Sequence, residues 1–300
     1  MTNLRSLIEI FFLLVFWTFV LTVALLLLKA LPRSSRYRSR DLSENIKSDG
    51  EAVAFSATDG LPLHGYIFTG RPEAPWVVLC HGFNGSSIRL FPLARHLAGK
   101  NGFNVLAFDF RAHGRSRGKF SSFGLRERRD LEAALAFVSA RQEARYPLKP
   151  VGVYGVSMGA SVAAMVCADD DRIAALVLDS PYLRLDRLLG RYMRLLYRLP
   201  KYPFLNFLCT GYALLFRCRP SDVAPGEAAA IAQANAALVL VGTRDDKTPL
   251  QDVWNLFGRL SVPTKRWVEM ETGHLEALQE EEPGYHERIG TFFASHLNLT

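Results

Sequence analysis

The segment Gly155-Val156-Ser157-Met158-Gly159 constrains the fold of this chain more than any other. An apolar run typical of a buried strand, residues 151–154, precedes it, and small residues typical of a helix, 160–168, follow it. The pattern predicts a sharp strand-to-helix turn with Ser157 at its apex and glycines where strand and helix crowd each other. A serine held out on such a turn is typical of a nucleophile, and the alternative is an ordinary turn with a capping serine.

A second glycine-bearing loop, His81-Gly82-Phe83-Asn84-Gly85, follows the buried-strand pattern of residues 76–80. Glycines allow such a loop to turn a backbone N–H toward a reacting oxygen. In this arrangement one donor follows the nucleophile and the other comes from the loop, so we assign the oxyanion hole to Met158 and Phe83. We expect His81 to brace the loop by hydrogen bonding rather than to act as a base.

Two further polar loops follow predicted strands and supply an acid and a base. One carries the adjacent carboxylates Asp245 and Asp246, and the other ends at His274. Residues that end parallel strands share one edge of the sheet, where α/β proteins build their sites. Serine, acid and histidine in that chain order predict a catalytic triad of Ser157, Asp245 and His274.

Together these segments resemble the serine hydrolases of the α/β-hydrolase superfamily. The resemblance covers residues 50–298 and rests on five segments: His81 to Gly85, Asp109 to Ser116, Gly155 to Ala160, Gly242 to Pro249, and Gly273-His274. Alanine replaces a frequent glycine of the family at Ala112 and Ala160, and both residues are small. The register of the GxxDxxxP motif selects Asp245 over Asp246 as the acid, with Asp179 a third candidate. We expect Asp109, Arg111 and His113 to act as scaffold.

The resemblance implies an α/β-hydrolase fold, in which a mostly parallel eight-stranded sheet carries helices on both faces and a helical cap insert. It also implies transfer of an acyl group to water through an acyl-enzyme on Ser157. No cofactor or metal is expected, since the chain has no HExxH, paired CxxC or phosphate-loop motif. The expected substrates are carboxylic esters, either lipid-like or other acyl esters. The alternatives are an acyltransferase, thioesterase or peptidase with the same triad, or a non-catalytic module.

Strand and helix patterns alternate along the body of the chain, which predicts a parallel sheet covered on both faces. A hairpin of residues 52–57 and 61–68 should begin the sheet. The other predicted strands are 76–80, 104–109, 151–155, 173–179, 236–241 and 265–270. The predicted helices are 87–99, 125–144, 158–168, 250–260 and 284–297.

The amino-terminal region carries a long apolar run, residues 7–28, with a single charge at Glu9. At about 1.5 Å per residue, about 20 residues cross the ~30 Å hydrocarbon layer. The run exceeds the apolar core of a secretory signal, about 7–15 residues. We therefore expect a transmembrane anchor over residues 1–30, a basic linker over 31–49 and a hydrolase domain over 50–300. Basic residues after the span predict a single-pass membrane protein whose catalytic domain is cytoplasmic.

Charge is unevenly distributed along the chain. Residues 29–40 carry +5 and residues 181–220 carry +7, so the remainder of this +7 protein carries −5. A uniformly basic, nucleic-acid-binding protein is thereby excluded. Both basic segments suit anionic lipid headgroups, so we expect the membrane as a partner and no nucleic acid.

The alternation of strands and helices breaks at residues 181–222, which we predict to be the cap. Its first half places arginines every three or four residues along one helical face, at positions 184, 187, 191, 194 and 198. Two interpretations stay open at this point. In one the arginines are solvated above an apolar packing face, and in the other the cap touches a bilayer and lines an acyl pocket.

Overall fold

The computed structural model describes residues 4–30, 50–144, 149–198, 200–279 and 283–297. Its strands β1–β8 are Glu51–Ser56, Pro62–Phe68, Trp76–Cys80, Asn104–Asp109, Val151–Val156, Ile173–Asp179, Ala236–Gly242 and Thr264–Met270. Helices α1–α10 within this part of the chain are Leu4–Ala30, Phe91–His96, Glu127–Glu143, Met158–Val166, Leu185–Tyr197, Phe204–Phe216, Pro225–Ala228, Leu250–Arg259, Glu276–Gln279 and Tyr285–His296.

All eight strands form one sheet in the order β1-β2-β4-β3-β5-β6-β7-β8. β2 pairs antiparallel with both β1 and β4, and every other pairing is parallel. The predicted mostly parallel, eight-stranded sheet is therefore confirmed. The carboxyl ends of its parallel strands all lie at the same edge. Three of these strands, β5, β6 and β7, are adjacent. Ser157 directly follows β5, Asp179 ends β6, and Asp245 lies in the loop that follows β7.

Helices cover both faces of the sheet, and alternate strand residues contribute to two separate cores. Val78, Val153 and Val239 point into the core that α3, α4 and α8 complete. Their chain neighbours Val77 and Leu238, on the opposite face, point into the core formed with α2 and α10. Burial on both faces explains why these strands are continuously apolar rather than alternating in the sequence.

The predicted helix 87–99 is broken in the structure. A 3₁₀ turn, Ser87–Leu90, precedes α2, and a π-helical turn, Leu97–Asn101, follows it. Pro92 is the physical reason for the first break, since proline lacks an N–H and is tolerated only in the first turn of an α-helix. The α-helix begins at Phe91, which places Pro92 in its first turn.

The segment between β6 and β7 contains helices α5 and α6, which share a small apolar cluster. Leu188 and Leu189 of α5 pack there with Leu205 and Tyr212 of α6. The hydroxyl of Tyr212 donates to the backbone oxygen of Ser122 at 2.8 Å, which attaches this segment to the loop before α3. The apolar face of α5 is thus turned toward the body of the protein.

Helix α1 does not meet the requirements of a membrane span. Arg5 and Glu9 lie in its first two turns as an ion pair with a nitrogen–oxygen distance of 3.4 Å. Over the residues that the structure describes, none of the helices combines the length and apolar character needed to cross a bilayer. The predicted anchor over 1–30 and the predicted single-pass membrane location with a cytoplasmic catalytic domain are therefore wrong. The predicted linker, 31–49, lies outside the described residues.

Strand β5 and helix α4 approach each other so closely that only glycine fits at two positions. A Cβ atom added to Gly155 would lie 2.6 Å from the Cα atom of Ala160. One added to Gly159 would collide with the carbonyl group of Cys80, at 2.6 Å from its carbon, and would lie 2.7 Å from the oxygen of His81. These glycines therefore fix the distance between the strand, the helix and the neighbouring strand β3.

Replacing Gly159 by alanine should destabilise the protein strongly. The new methyl group would meet backbone atoms of Cys80, which cannot rotate away, so β3 and α4 would have to separate. We expect the free energy of unfolding to fall by at least about 2 kcal/mol, measured by urea denaturation.

Gly258→Ala is the matched control. Gly258 lies in α8, and a Cβ atom added there has no neighbour within 4 Å. Alanine should leave stability unchanged or raise it by about 0.5–1 kcal/mol, because glycine is a poor helix former. Equal effects of the two substitutions would contradict the packing described for Gly159.

Candidate active site

Ser157 lies between β5 and α4 in a backbone conformation that L-residues rarely adopt, with φ 54° and ψ −114°. Such a conformation costs of order 1–3 kcal/mol and persists only where the surroundings enforce it. The Ser157 N–H donates to the backbone oxygen of Asp179 at 2.8 Å, and its own oxygen accepts from the N–H of Ser161 at 3.0 Å. The adjacent strand and the first turn of α4 thus hold the serine on both sides.

The structure brings the three predicted triad residues into one chain of hydrogen bonds. Nε2 of His274 lies 3.0 Å from the Oγ atom of Ser157. Nδ1 of the same ring lies 2.7 Å from the Oδ2 atom of Asp245. A carboxylate can only accept, so Nδ1 carries the proton and Nε2 is left to accept the hydrogen bond of the serine hydroxyl. The histidine and aspartate side chains are 5% and 0% exposed.

Asp245 is held as a carboxylate by four donors. Besides His274, the N–H groups of Lys247 and Thr248 donate to Oδ1 at 2.8 and 2.9 Å, and the Thr248 hydroxyl donates to Oδ2 at 2.6 Å. Burial acts to raise the pKa of Asp245, but the hydrogen bonds from His274 and Thr248 outweigh it and leave that pKa below its ordinary value. Asp246, the second candidate for the acid, is exposed to solvent.

The role of Thr248 was missed in the sequence. Its hydroxyl and N–H both bind the carboxylate three residues earlier, as in the turns that short polar side chains form with nearby backbone groups. The available signal was a hydroxyl residue within the motif that begins at Gly242 and ends at Pro249.

The third candidate for the acid, Asp179, ends β6 and points into a different network. The hydroxyl of Tyr285 donates to its Oδ2, and the hydroxyl of Ser180 donates to its Oδ1 at 2.9 Å. The Tyr285 hydroxyl also lies 2.8 Å from that of Tyr154. Burial raises the pKa of Asp179 to about 6, although these hydrogen bonds and the positive charge of a protonated His274 oppose the shift. Two carboxylates at one sheet edge thus differ in their preference for the proton.

His81 braces the loop that carries Phe83, as the sequence suggested. Its Nδ1 donates to the backbone oxygen of Gly82 at 2.7 Å, and its Nε2 accepts from the N–H of Phe110 at 3.0 Å. Burial, together with repulsion from a protonated His113, lowers the pKa of His81 to about 3, so the ring is neutral. With both nitrogens occupied, this ring holds the loop and is not placed to act as the base.

The two residues proposed for the oxyanion hole lie next to the serine in sequence or in space. Met158 follows Ser157 and begins α4, where the first N–H groups of a helix have no partner within it. Phe83 follows Gly82, and a Cβ atom added to Gly82 would lie 3.3 Å from the Cβ atom of Ser157. The Phe83 ring packs on that of Phe123 with centroids 4.4 Å apart, which fixes the side chain of the loop.

The loop after β4 supports the site from behind. Asp109 accepts hydrogen bonds from the N–H groups of Ser87 and Arg115 at 2.7 and 2.8 Å. Nε and a terminal nitrogen of Arg111 donate to the buried carboxylate of Asp130 at distances from 2.6 to 3.0 Å. These bonds join the loop after β4 to helix α3 and to the 3₁₀ turn before α2, and they do not reach Ser157.

Two arginines on the arginine face of α5 contact other segments of the protein. Arg187 forms an ion pair with Asp252 of α8 at 3.0 Å, and Nε of Arg191 donates to the backbone oxygen of Asp246. Exposed ion pairs of this kind contribute about 0–1 kcal/mol each. The bond from Arg191 therefore ties α5 to the loop that carries Asp245.

Comparison with known proteins shows which family and which fold this chain resembles. The family model for serine aminopeptidases S33 matches residues 71–219. The solved structure of the esterase Pf2001 from Pyrococcus furiosus superposes with a TM-score of 0.69 at 24% identity, covering 85% of this chain and 94% of that one. The chain belongs to the α/β-hydrolase superfamily.

Sequence relatives of this α/β-hydrolase point in the same direction. The uncharacterized protein YqkD of Bacillus subtilis is 25% identical over 244 residues, which is 80% of this chain and 78% of that protein. The thiohydrolase aneE of Aspergillus aculeatus is 29% identical over 140 residues, 47% of this chain and 44% of that protein. Taken together, the comparisons support a hydrolase with the α/β fold. Among the residues that the structure describes, no group of three or more histidine, cysteine or acidic side chains is arranged to hold a metal ion.

The raised pKa of Asp179 predicts a pH-dependent stability. An unfolded aspartate loses its proton near pH 3.9, whereas the folded one keeps it to about pH 6. The stabilising contribution of Asp179 to the free energy of unfolding is therefore complete below about pH 4 and is lost as the pH rises through 6. Relative to the wild type, Asp179→Asn should gain stability by about 3 kcal/mol between pH 4 and pH 7, measured by urea unfolding at each pH.

Tyr285→Phe serves as the second variant. It removes a donor to the Asp179 carboxylate, so it should raise the pKa of that group further and extend the loss of stability to higher pH. A difference between Asp179→Asn and the wild type that is constant with pH would show that Asp179 is ionised like an ordinary surface carboxylate, and one that falls as the pH rises would show that folding lowers its pKa.

Proposed function

We propose that the protein hydrolyses carboxylic esters, with Ser157 as nucleophile, His274 as general base and Asp245 as the acid that orients the histidine. The observation that carries the proposal is the pair of hydrogen bonds, 3.0 and 2.7 Å long, that connect the three side chains in that order. A hydroxyl is a weak nucleophile until a neighbouring base takes its proton. His274 is positioned and protonated on the correct nitrogen for that step.

In the acylation half, Nε2 of His274 removes the proton as the Oγ atom of Ser157 attacks the ester carbonyl carbon. The imidazolium that forms is stabilised by the carboxylate of Asp245, whose depressed pKa keeps it ionised. The carbonyl oxygen becomes an oxyanion when the tetrahedral intermediate forms. His274 then gives the proton to the departing alkoxide, which leaves as an alcohol, and the acyl group remains on Ser157.

We assign stabilisation of the oxyanion to the backbone N–H groups of Met158 and Phe83. Pre-positioned donors of this kind lower the barrier because they need no rearrangement when charge develops, and one donor is worth about 3 kcal/mol. The first belongs to the open end of helix α4, where the helix dipole also favours negative charge. The second belongs to the loop that His81 holds rigid.

In the deacylation half, water enters the position that the alcohol has left. Nε2 of His274 takes a proton from the water as its oxygen attacks the acyl carbon. Collapse of the second tetrahedral intermediate returns the proton to Ser157 and releases the carboxylic acid. The same two residues therefore serve both halves, and the protein ends each cycle as it began.

Thioesters are the second candidate substrates. The observation that favours them is the similarity to a thiohydrolase over residues that make up nearly half of this chain. A thiolate leaves more easily than an alkoxide, so the triad described here needs no additional group for that reaction. Parallel assays with an ester and a thioester of the same acyl chain distinguish the two proposals by their kcat/KM values.

The direct test uses turnover of 4-nitrophenyl butanoate by three variants. Ser157→Ala should lose activity by roughly 10⁴-fold or more and should no longer react with a fluorophosphonate probe that labels the wild type. Asp245→Asn should lose about 10⁴-fold, because an amide can stabilise the wrong tautomer of His274.

Asp246→Asn is the matched control, since it changes the same group one residue away. Asp246 is exposed, and its recorded bond to Arg191 uses its backbone oxygen, so activity should stay within about twofold of the wild type. Wild-type protein that neither turns over esters nor reacts with the probe would indicate a non-catalytic module. If Asp245→Asn and Asp246→Asn lost equal esterase activity, Asp245 would not have the proposed role of orienting His274.

A further inference from the structure

Helix α5, in the segment between β6 and β7, contacts the loop that carries Asp245. Arg187 and Arg191 are four residues apart, so their side chains share one face of this helix. Arg187 pairs with Asp252 of α8 at 3.0 Å, and Nε of Arg191 donates to the backbone oxygen of Asp246. One face of α5 therefore contacts both the loop between β7 and α8 and the helix that follows this loop.

Tyr192, the next residue of α5, lies near the same loop. It packs against the apolar cluster that α5 shares with α6. Burial, and then the negative charges of Asp245 and Asp246, raise the pKa of Tyr192 to about 12. Charged groups shift the pKa of a neighbour mainly at short range. Arg191 thus approaches the loop from a helix that is packed beside it.

The oxygen that Arg191 binds belongs to the peptide group between Asp246 and Lys247. The N–H of the same peptide group is that of Lys247, which donates to Oδ1 of Asp245 at 2.8 Å. A peptide group is planar and trans, so its oxygen and its hydrogen point in opposite directions. A donor that fixes the oxygen on one side therefore also fixes the direction of the N–H on the other side.

The charge of the guanidinium adds to this geometric effect. An arginine side chain is always protonated, and a hydrogen bond from a charged donor is stronger than one between neutral groups. A carbonyl oxygen that accepts such a bond is polarised, which makes the N–H of the same peptide group a better donor. The bonds continue from Asp245 to Nδ1 of His274, which lies 2.7 Å from Oδ2. A single peptide group thus connects Arg191 to the proposed acid and base.

We propose that Arg191 is a positioning residue of the triad, which fixes the peptide group that orients the carboxylate of Asp245. It acts through that peptide group rather than on the reacting atoms. Contact of α5 with the loop keeps the carboxylate directed at His274, and loss of the contact lets the loop shift. The inference rests on the proposed esterase activity and adds a residue to its machinery.

Arg191→Met is the direct test, because methionine is similar in length but has no hydrogen-bond donor. With 4-nitrophenyl butanoate as substrate, kcat should fall by about tenfold while KM stays within about twofold of the wild type. The orientation of the carboxylate matters most in the transition state, when His274 becomes positively charged. Arg191→Lys should recover part of the loss, because an ammonium group can donate to the same oxygen.

Two other arginines of α5 provide the matched controls. Arg194→Met removes an exposed arginine three residues further along the helix. Arg187→Met removes the contact with α8 but leaves the bond to Asp246 in place. Both variants should keep kcat within about twofold of the wild type. An unchanged kcat in Arg191→Met would overturn the proposal, and so would equal falls of kcat in Arg187→Met and Arg191→Met.

Hydrogen exchange at the Lys247 amide separates this proposal from the proposed activity, because it needs no turnover. Nuclear magnetic resonance of the substrate-free protein follows how fast this N–H exchanges with deuterated solvent. The bond to Asp245 should slow the exchange in the wild type and in Arg194→Met, and Arg191→Met should exchange about tenfold faster or more. Equal exchange in the three proteins would overturn the role of Arg191. Faster exchange in Arg191→Met, in a protein that cleaves no ester, would support the positioning and refute only the esterase.

Discussion

The close packing of β5 against α4 is the constraint on which the rest of the site depends. Two positions without side chains, Gly155 and Gly159, allow the strand, the helix and β3 to approach until a single methyl group would collide. The chain then has no room to turn gradually, so Ser157 takes up a conformation that costs of order 1–3 kcal/mol. The buried core around Ser157 offsets that cost. The resulting backbone conformation holds the serine Oγ atom 3.0 Å from Nε2 of His274.

The same sheet edge carries two buried carboxylates, and their partners give them different properties. Asp245 accepts hydrogen bonds from an imidazole, a hydroxyl and two backbone N–H groups, which favour its charged form. Asp179 accepts from two hydroxyl groups, and burial raises its pKa to about 6 although these bonds oppose the shift. Local hydrogen bonding rather than position on the fold therefore determines which carboxylate can stabilise a positive histidine.

The sequence predicts most of the sheet because strand patterns bounded by polar loops are local, and the order of motifs correctly indicated that Ser157, Asp245 and His274 meet. Their catalytic roles stay proposals. The helix expected around Pro92 was broken for a local reason that the sequence already contained. The predicted membrane anchor was wrong, because no helix in the described residues combines the length and the apolar character needed to cross a bilayer. Contacts between segments far apart in the sequence could not be predicted, because no local sequence pattern indicates them. The contact of Arg191 with the loop that carries Asp245 is an example.

In the proposed reaction an acyl group passes through Ser157, and a rapid-quench experiment can detect it there. The protein is mixed with excess 4-nitrophenyl butanoate, quenched in acid within milliseconds, digested and analysed by mass spectrometry. The peptide containing Ser157 should gain the mass of a butanoyl group, and this label should disappear as the substrate is exhausted. Sustained hydrolysis without a mass change on that peptide, or with the acyl group on another residue, would contradict it.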